Sequence, residues 1–136
     1  MIKPICKDIF FLSKKARKAN KDDIGIAYDL LDTIKANNYK CIGMAANMIG
    51  EDVSIIVAQV GMSYLVMFNP VIVSSKDAYE TMEGCLSHSG ERKCIRHQTI
   101  KVKYDDFNFK CHTEEFKGLT AQIIEHEVDH LKGILI

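Results

Sequence analysis

The chain predicts an α+β fold: small antiparallel or mixed sheets packed around a C-terminal helix, with another helix near the N-terminus. Three observations carry this. Apolar residues recur at helical spacing near both ends of the chain. Between them lie β-rich runs, punctuated by glycine, proline and polar breaks. Strands and helices do not alternate regularly, which argues against a parallel βαβ sheet. At 136 residues the chain has the length of a single domain, residues 1–136, with a real core.

Taken in order, Pro4 precedes an apolar Ile9-Phe10-Phe11-Leu12 and then a basic run of Lys14, Lys15, Arg17 and Lys18, read as a solvated face. Asn20, Lys21, Asp22 and Asp23 offer capping groups ahead of Ile24, Ala27, Tyr28, Leu31 and Ile34. That spacing predicts a helix over 23–36, ended by Asn37-Asn38. Residues 41–50, C-I-G-M-A-A-N-M-I-G, are small, apolar and uncharged, so that another backbone can come close. Strands are expected at 54–60, 64–69 and 71–74, broken at Gly61-Met62 and Pro70. After a polar link, 80–87 is a short candidate strand, and 100–104 with 107–112 predict a hairpin around Asp105-Asp106. A helix over 114–131 closes the fold, with Phe116, Thr120, Ile124, Val128 and Leu131 as its apolar back face and Gly133 as its stop.

Composition excludes several classes. Lys plus Arg and Asp plus Glu are both 18, so the net charge is zero and the basic footprint of a nucleic-acid binder is missing. No apolar run approaches a membrane span and the start lacks a signal-peptide pattern, so a cytoplasmic, bacterial-type location is expected. Five cysteines at irregular spacing do not form a disulfide framework. Cys6, Cys41, Cys94 and Cys111 are read as small buried hydrophobes, and Cys85 stands apart.

The chemistry concentrates in 123–133, I-I-E-H-E-V-D-H-L-K-G. His126 and His130 are four residues apart, about one helical turn, so both imidazoles can grip one metal ion. Glu127 between them can handle a proton on metal-bound water. Leu119, Ile123, His126 and His130 form one stripe of this helix. Two imidazoles leave a site incomplete, and the best candidate for a third ligand is Cys85 in Glu83-Gly84-Cys85-Leu86-Ser87. A thiolate with two imidazoles leaves one position open, and Glu83 is placed to orient a ligand.

These motifs resemble those of the peptide deformylases. H-E-x-D-H-L-x-G at 126–133 and E-G-C-L-S at 83–87 match letter for letter, and 41–48 aligns with the family's G-φ-G-φ-A-A-x-Q. The resemblance implies removal of the N-formyl group from N-formylmethionyl peptides of nascent proteins, at the ribosome. It implies Cys85, His126 and His130 as ligands to Fe²⁺, with Zn²⁺, Ni²⁺ or Co²⁺ able to replace it. Metal-bound water would attack the formyl carbon with Glu127 as general acid/base, and the Leu86 backbone N–H would donate to the oxyanion. The peptide would add as a strand beside Ile42 and Gly43, with Gly84 opposite. The methionine side chain would sit near Ile42, Leu119, Ile123 and His126; simple core packing is the competing reading of Leu119 and Ile123. Arg92 aligns with a position that can meet the substrate, and is read as a solvated arginine.

Two positions depart from the family pattern. Cys41 replaces the first glycine, and Met48 replaces a glutamine whose amide donates to the oxyanion. A thioether cannot donate, and losing one such donor costs about 3–4 kcal/mol of transition-state stabilisation. Asn47 would need a bulge to compensate; Ser87 and His88 beside Cys85 are the other polar candidates. The chain stops at Ile136, soon after the metal-binding helix, so the further C-terminal segment of many family members is not expected over this core. The alternatives to the leading reading are a divergent, weakly active or inactive paralogue acting on another N-acyl substrate, and a protein that binds peptide or metal only. Glu127 favours turnover, because binding metal needs no general base.

Overall fold

The computed structural model describes residues 1–85 and 88–135. Its strands are β1 (Gly43–Ala45), β2 (Ile55–Val60), β3 (Ser63–Cys85), β4 (His88–Asp105) and β5 (Cys111–Lys117). Among the described residues they form one antiparallel five-stranded sheet in which spatial order is chain order. The α-helices that accompany it are α1 (Ile9–Leu12), α2 (Ile24–Ala36) and α3 (Gly118–Leu131), among the described residues. The α+β class therefore holds, with a single sheet where small sheets were expected. α3 lies against β1, β2 and β4, and α2 against β2. Leu30, Ile34, Met44, Ile55, Ile56, Val57, Met67, Phe68, Ile100 and Ile124 fill the space between helices and sheet. Among the described residues no helix is long and apolar enough to cross a membrane.

The capping group ahead of α2 is formed as its sequence suggests. Asn20 Oδ1 accepts the Asp22 N–H at 2.9 Å, and Asp23 Oδ2 accepts the Asn20 N–H at 2.9 Å. Arg17, expected on a solvated face, is half engaged: its guanidinium pairs with Asp23 at 2.7 Å.

The strand boundaries differ for identifiable reasons. The predicted strands at 64–69 and 71–74, and the one predicted at 80–87 as far as Cys85, join into the single β3; residues 86–87 lie outside the described residues. Pro70 does not end the strand, because the register shifts between Phe68 and Val71 and Asn69 turns to φ +54°. Such a bulge removes the need for the N–H that proline lacks. The polar stretch that looked like a link extends the pairing with β4, Ala78 opposite His97 and Tyr79 opposite Arg96, mostly away from the core, where alternation has nothing to bury. At the predicted hairpin the second strand starts later, at Cys111. Asp106 Oδ1 accepts N–H groups of Asn108 and Lys110 at 2.8 and 3.0 Å, which makes a turn of residues that read as strand. The apolar alternation there came from Phe107 and Phe109, both packed on Phe68 with ring centroids 5.4 and 4.9 Å away.

Residues 114–117, predicted as the start of the last helix, pair with β4 instead, Glu114 opposite Val102 and Lys117 opposite Thr99. Gly118 at φ +61° makes the change from strand to helix. At its far end α3 closes with a pair of bonds, Gly133 N–H to His130 C=O and Ile134 N–H to Asp129 C=O, both at 3.0 Å. Gly133 sits at φ +80°, and a Cβ there would lie 2.3 Å from the Ser13 carbonyl oxygen. Gly133→Ala is expected to lower stability by about 2–4 kcal/mol, combining left-handed strain with a clash against backbone. A shift of the urea midpoint to lower concentration at unchanged m-value checks this.

Candidate metal centre

Cys85 ends β3, paired with His88, and faces two turns of α3. The thiol of Cys85 and one ring nitrogen each of His126 and His130 all lie within 4.8 Å of one another. The two Nε2 atoms are 3.1 Å apart. Two nitrogens bound to one tetrahedral ion at ordinary bond lengths are about 3.3 Å apart, so this donor set fits a divalent ion held by one thiolate and two imidazoles.

The imidazole of His126 is fixed from behind. Its Nδ1 donates to Glu83 Oε1 at 2.6 Å, which leaves Nε2 to point at the common centre. Glu83 is buried, and burial alone would raise its pKa. Hydrogen bonds from His126, Arg96 and Gln122 more than offset that and hold the carboxyl well below the usual carboxylate range. Arg96, 3% exposed, grips Glu83 through Nε and Nη2 and reaches Asp129 through Nη1 at 2.8 Å. Gln122 donates to Glu83 Oε2 at 2.8 Å. Burial would lower the pKa of His126, yet Cys85 and Glu83 raise it to about 10. The surroundings thus favour a positive charge here.

Glu127 is 4% exposed, and full burial pushes its carboxyl up to about 7. Its Oε1 is buried with no hydrogen-bond partner among the described residues. The approach of β1 to this carboxylate explains a glycine at 43. A Cβ on Gly43 would stand 2.6 Å from Ile123 Cγ2 and 2.8 Å from Glu127 Oε2.

A cleft of about 240 Å³ opens over these groups. Ile42, Gly43, Gly84, Leu119 and Ile123 all line it together with Met48, Cys85, His126 and Glu127. Leu119 is 62% exposed, so it does not pack in the core; Ile123, 6% exposed, does both. Leu86 and Ser87 fall outside the described residues. Asn47 is turned away, its Nδ2 donating to the His130 carbonyl at 2.8 Å. Met48 Sδ accepts the Ala45 N–H at 3.4 Å and lies 4.0 Å from Cys85 Sγ. The Cys41 thiol donates to the Gly43 carbonyl and is pushed up to about 12, mainly by burial. Cys111, expected to be buried, is exposed, and Cys6, Cys41 and Cys94 are half-buried. Arg92 is exposed and donates to the Leu135 carbonyl.

The sequence reading missed Gln122, Asp129 and Arg96. The first two share α3 with His126, four residues before it and three after, a spacing that marks one helix face. Arg96 carried no signal, because its place depends on the β3–β4 register that sets Glu83 opposite Arg92 and Tyr79 opposite Arg96.

The family model described as polypeptide deformylase matches residues 5–136. Over 136 residues the chain is 51% identical to the peptide deformylase of Clostridium beijerinckii, covering 100% of each. It is similar to the Met-Ala-Ser-bound crystal structure of a class I type b peptide deformylase from Acinetobacter baumannii, with TM-score 0.89 and 27% identity, covering 99% of this chain and 97% of that one. The peptide deformylase of Thermotoga maritima gives TM-score 0.88 at 28% identity, covering 99% of this chain and 95% of that one.

Arg96→Leu leaves the buried Glu83 and the Asp129 carboxylate without their cation, and is expected to cost about 3–5 kcal/mol. Chemical denaturation of the two proteins side by side measures it; a loss below about 1 kcal/mol would mean that Gln122 and His126 suffice to hold Glu83.

Proposed function

The chain belongs to the peptide deformylase family, and we propose that it hydrolyses the formyl amide of N-formylmethionyl peptides with Glu127 as general acid/base and Cys85, His126 and His130 as metal ligands. The observation that carries this reading is the buried Glu127 carboxylate, whose Oε1 has no partner among the described residues, in the wall of the cleft that also contains Cys85 and His126. The family is metal-dependent, and Fe²⁺ is the proposed native ion, with Zn²⁺, Ni²⁺ or Co²⁺ able to take its place. When bound, a divalent ion supplies Lewis acidity, which polarises the formyl carbonyl and makes water a stronger acid.

The chain's own groups do the rest. Glu127 accepts the proton from the attacking water and returns it to the departing amine nitrogen. Glu83 and Arg96 keep His126 in the tautomer that presents Nε2. β1 is an edge strand, so a peptide can add beside Ile42 and Gly43 with Gly84 opposite. Leu119 and Ile123 offer the apolar wall for the first side chain, and the Leu86 N–H is the proposed oxyanion donor. Residues 1–136 act as one domain, on nascent chains at the ribosome in the cytoplasm.

Met48 sets the expected rate. Its thioether accepts the Ala45 N–H and supplies no donor toward the oxyanion. At equal metal loading, Met48→Gln is expected to raise kcat on formyl-Met-Ala-Ser by about tenfold or more. An unchanged rate would mean that another group already fills the donor's role. Glu127→Gln should retain stoichiometric metal and lose turnover by at least about 100-fold. Comparable activity in that variant would remove Glu127 from the reaction, and a fully metallated wild-type protein without turnover would overturn the proposed activity.

A further inference from the structure

We propose that the basic face around α1 and the end of α3, with the exposed ring of Phe10, docks on the phosphate backbone of folded RNA. The proposal rests on the functional reading in one respect: a protein that works on nascent chains works among RNA. The zero net charge of the chain conceals an uneven distribution. Seven of its 18 cationic side chains, but one of its 18 acidic ones, lie in residues 1–21. That one acid, Asp8, is committed to the N–H groups of Phe10 and Phe11 at 3.0 and 3.4 Å. Arg17 is committed as well, to Asp23. Lys7, Lys14 and Lys15 are exposed, and none of them forms an ion pair among the described residues.

The fold gathers these cations with another from the far end of the chain. The Ala16 N–H donates to the Leu131 carbonyl at 2.8 Å, and Gly133 meets the backbone of Ser13 and Lys14 too closely for a Cβ. Lys132, also exposed, therefore stands beside Lys14 and Lys15. The same face carries apolar surface. Of the four residues of α1 only Leu12 is buried, and Phe10 is 87% exposed. Lys14 Nζ stands 5.7 Å from the centroid of the Phe11 ring. Free lysines around an exposed ring can neutralise several phosphates while the ring stacks on an unpaired base. The apolar part is a single helical turn, too small to lie in a lipid interface as an amphipathic helix does, which favours RNA over a membrane. None of these residues lines the cleft, so docking here does not occupy it.

The test titrates protein-free bacterial ribosomal RNA with the metal-loaded full chain by filter binding, over about 50 to 200 mM salt. Four phosphate contacts give a slope of log affinity on log salt of about −3. The double variant Lys14→Glu, Lys15→Glu should halve that slope and weaken binding by at least about tenfold. Phe10→Ser should weaken it about fivefold or more and leave the slope unchanged, because stacking releases no counterions. Lys101→Glu with Lys103→Glu makes the same change of charge on β4 and should bind as the wild type does. Equal weakening by that control pair would overturn the proposal, since total charge alone would then govern binding. Absence of RNA binding at the lowest salt would overturn it too and leave the face merely solvated. So would binding to phosphatidylglycerol vesicles without binding to RNA. Deformylation of free formyl-Met-Ala-Ser should be the same in all four proteins. Turnover without RNA binding would sink this proposal alone, and RNA binding without turnover would sink only the proposed activity.

Discussion

The Glu83 carboxylate accepts from Arg96, Gln122 and His126 at once, in a place that is almost dry. A lone carboxylate there would be driven to protonate, and a protonated Glu83 would no longer hold His126 in one tautomer. The guanidinium, the amide and the imidazole remove that option together. Each comes from a different position: Arg96 from β4, Gln122 and His126 from α3, and Glu83 itself from β3. The network therefore locks the mutual position of two strands and a helix while it orients the His126 ring. Arg96 also reaches Asp129, one turn further along the same helix, so α3 is held at two points along its length.

How much of this was legible in the chain depends on the range of the interactions. His126, Glu127 and His130 were readable because a helix converts sequence spacing directly into spatial proximity. The Asn20–Asp23 cap and the Gly133 stop were readable for the same reason, being closed by neighbours in sequence. Cys85 needed the family motif, since nothing local relates it to a helix more than thirty residues away. The strand ends were misjudged wherever a local signal met a tertiary one. Pro70 is a breaker that a bulge absorbs, and the Phe107 and Phe109 alternation reflects packing on Phe68 by a turn rather than by a strand. Residues 114–117 have helical company on one side, but their backbone is claimed by β4.

Close approach is the other organising constraint. β1 and α3 come together so tightly that Gly43 has no room for a Cβ, and the side chains that fill the space are Ile123 and Glu127. The apolar residues after it, Met44, Ala45, Ala46 and Met48, continue the contact with almost no exposure. This close packing is also why burial pushes the Glu127 carboxyl up to about 7, since its charged form is the one deprived of water. Glu127 is walled in by backbone and hydrocarbon, and its exposed side is the cleft.

β1 is only three residues long, Gly43–Ala45, and its partner β2 occupies one edge. At a rise of about 3.3 Å per residue, its outer edge offers some 10 Å of main chain to a peptide laid alongside. Hydrogen bonds to so short an edge register backbone and not side-chain identity, and they end within about three residues. A peptide laid there would be held through a few main-chain groups only, and whatever followed would extend past the last bond so short a strand can make.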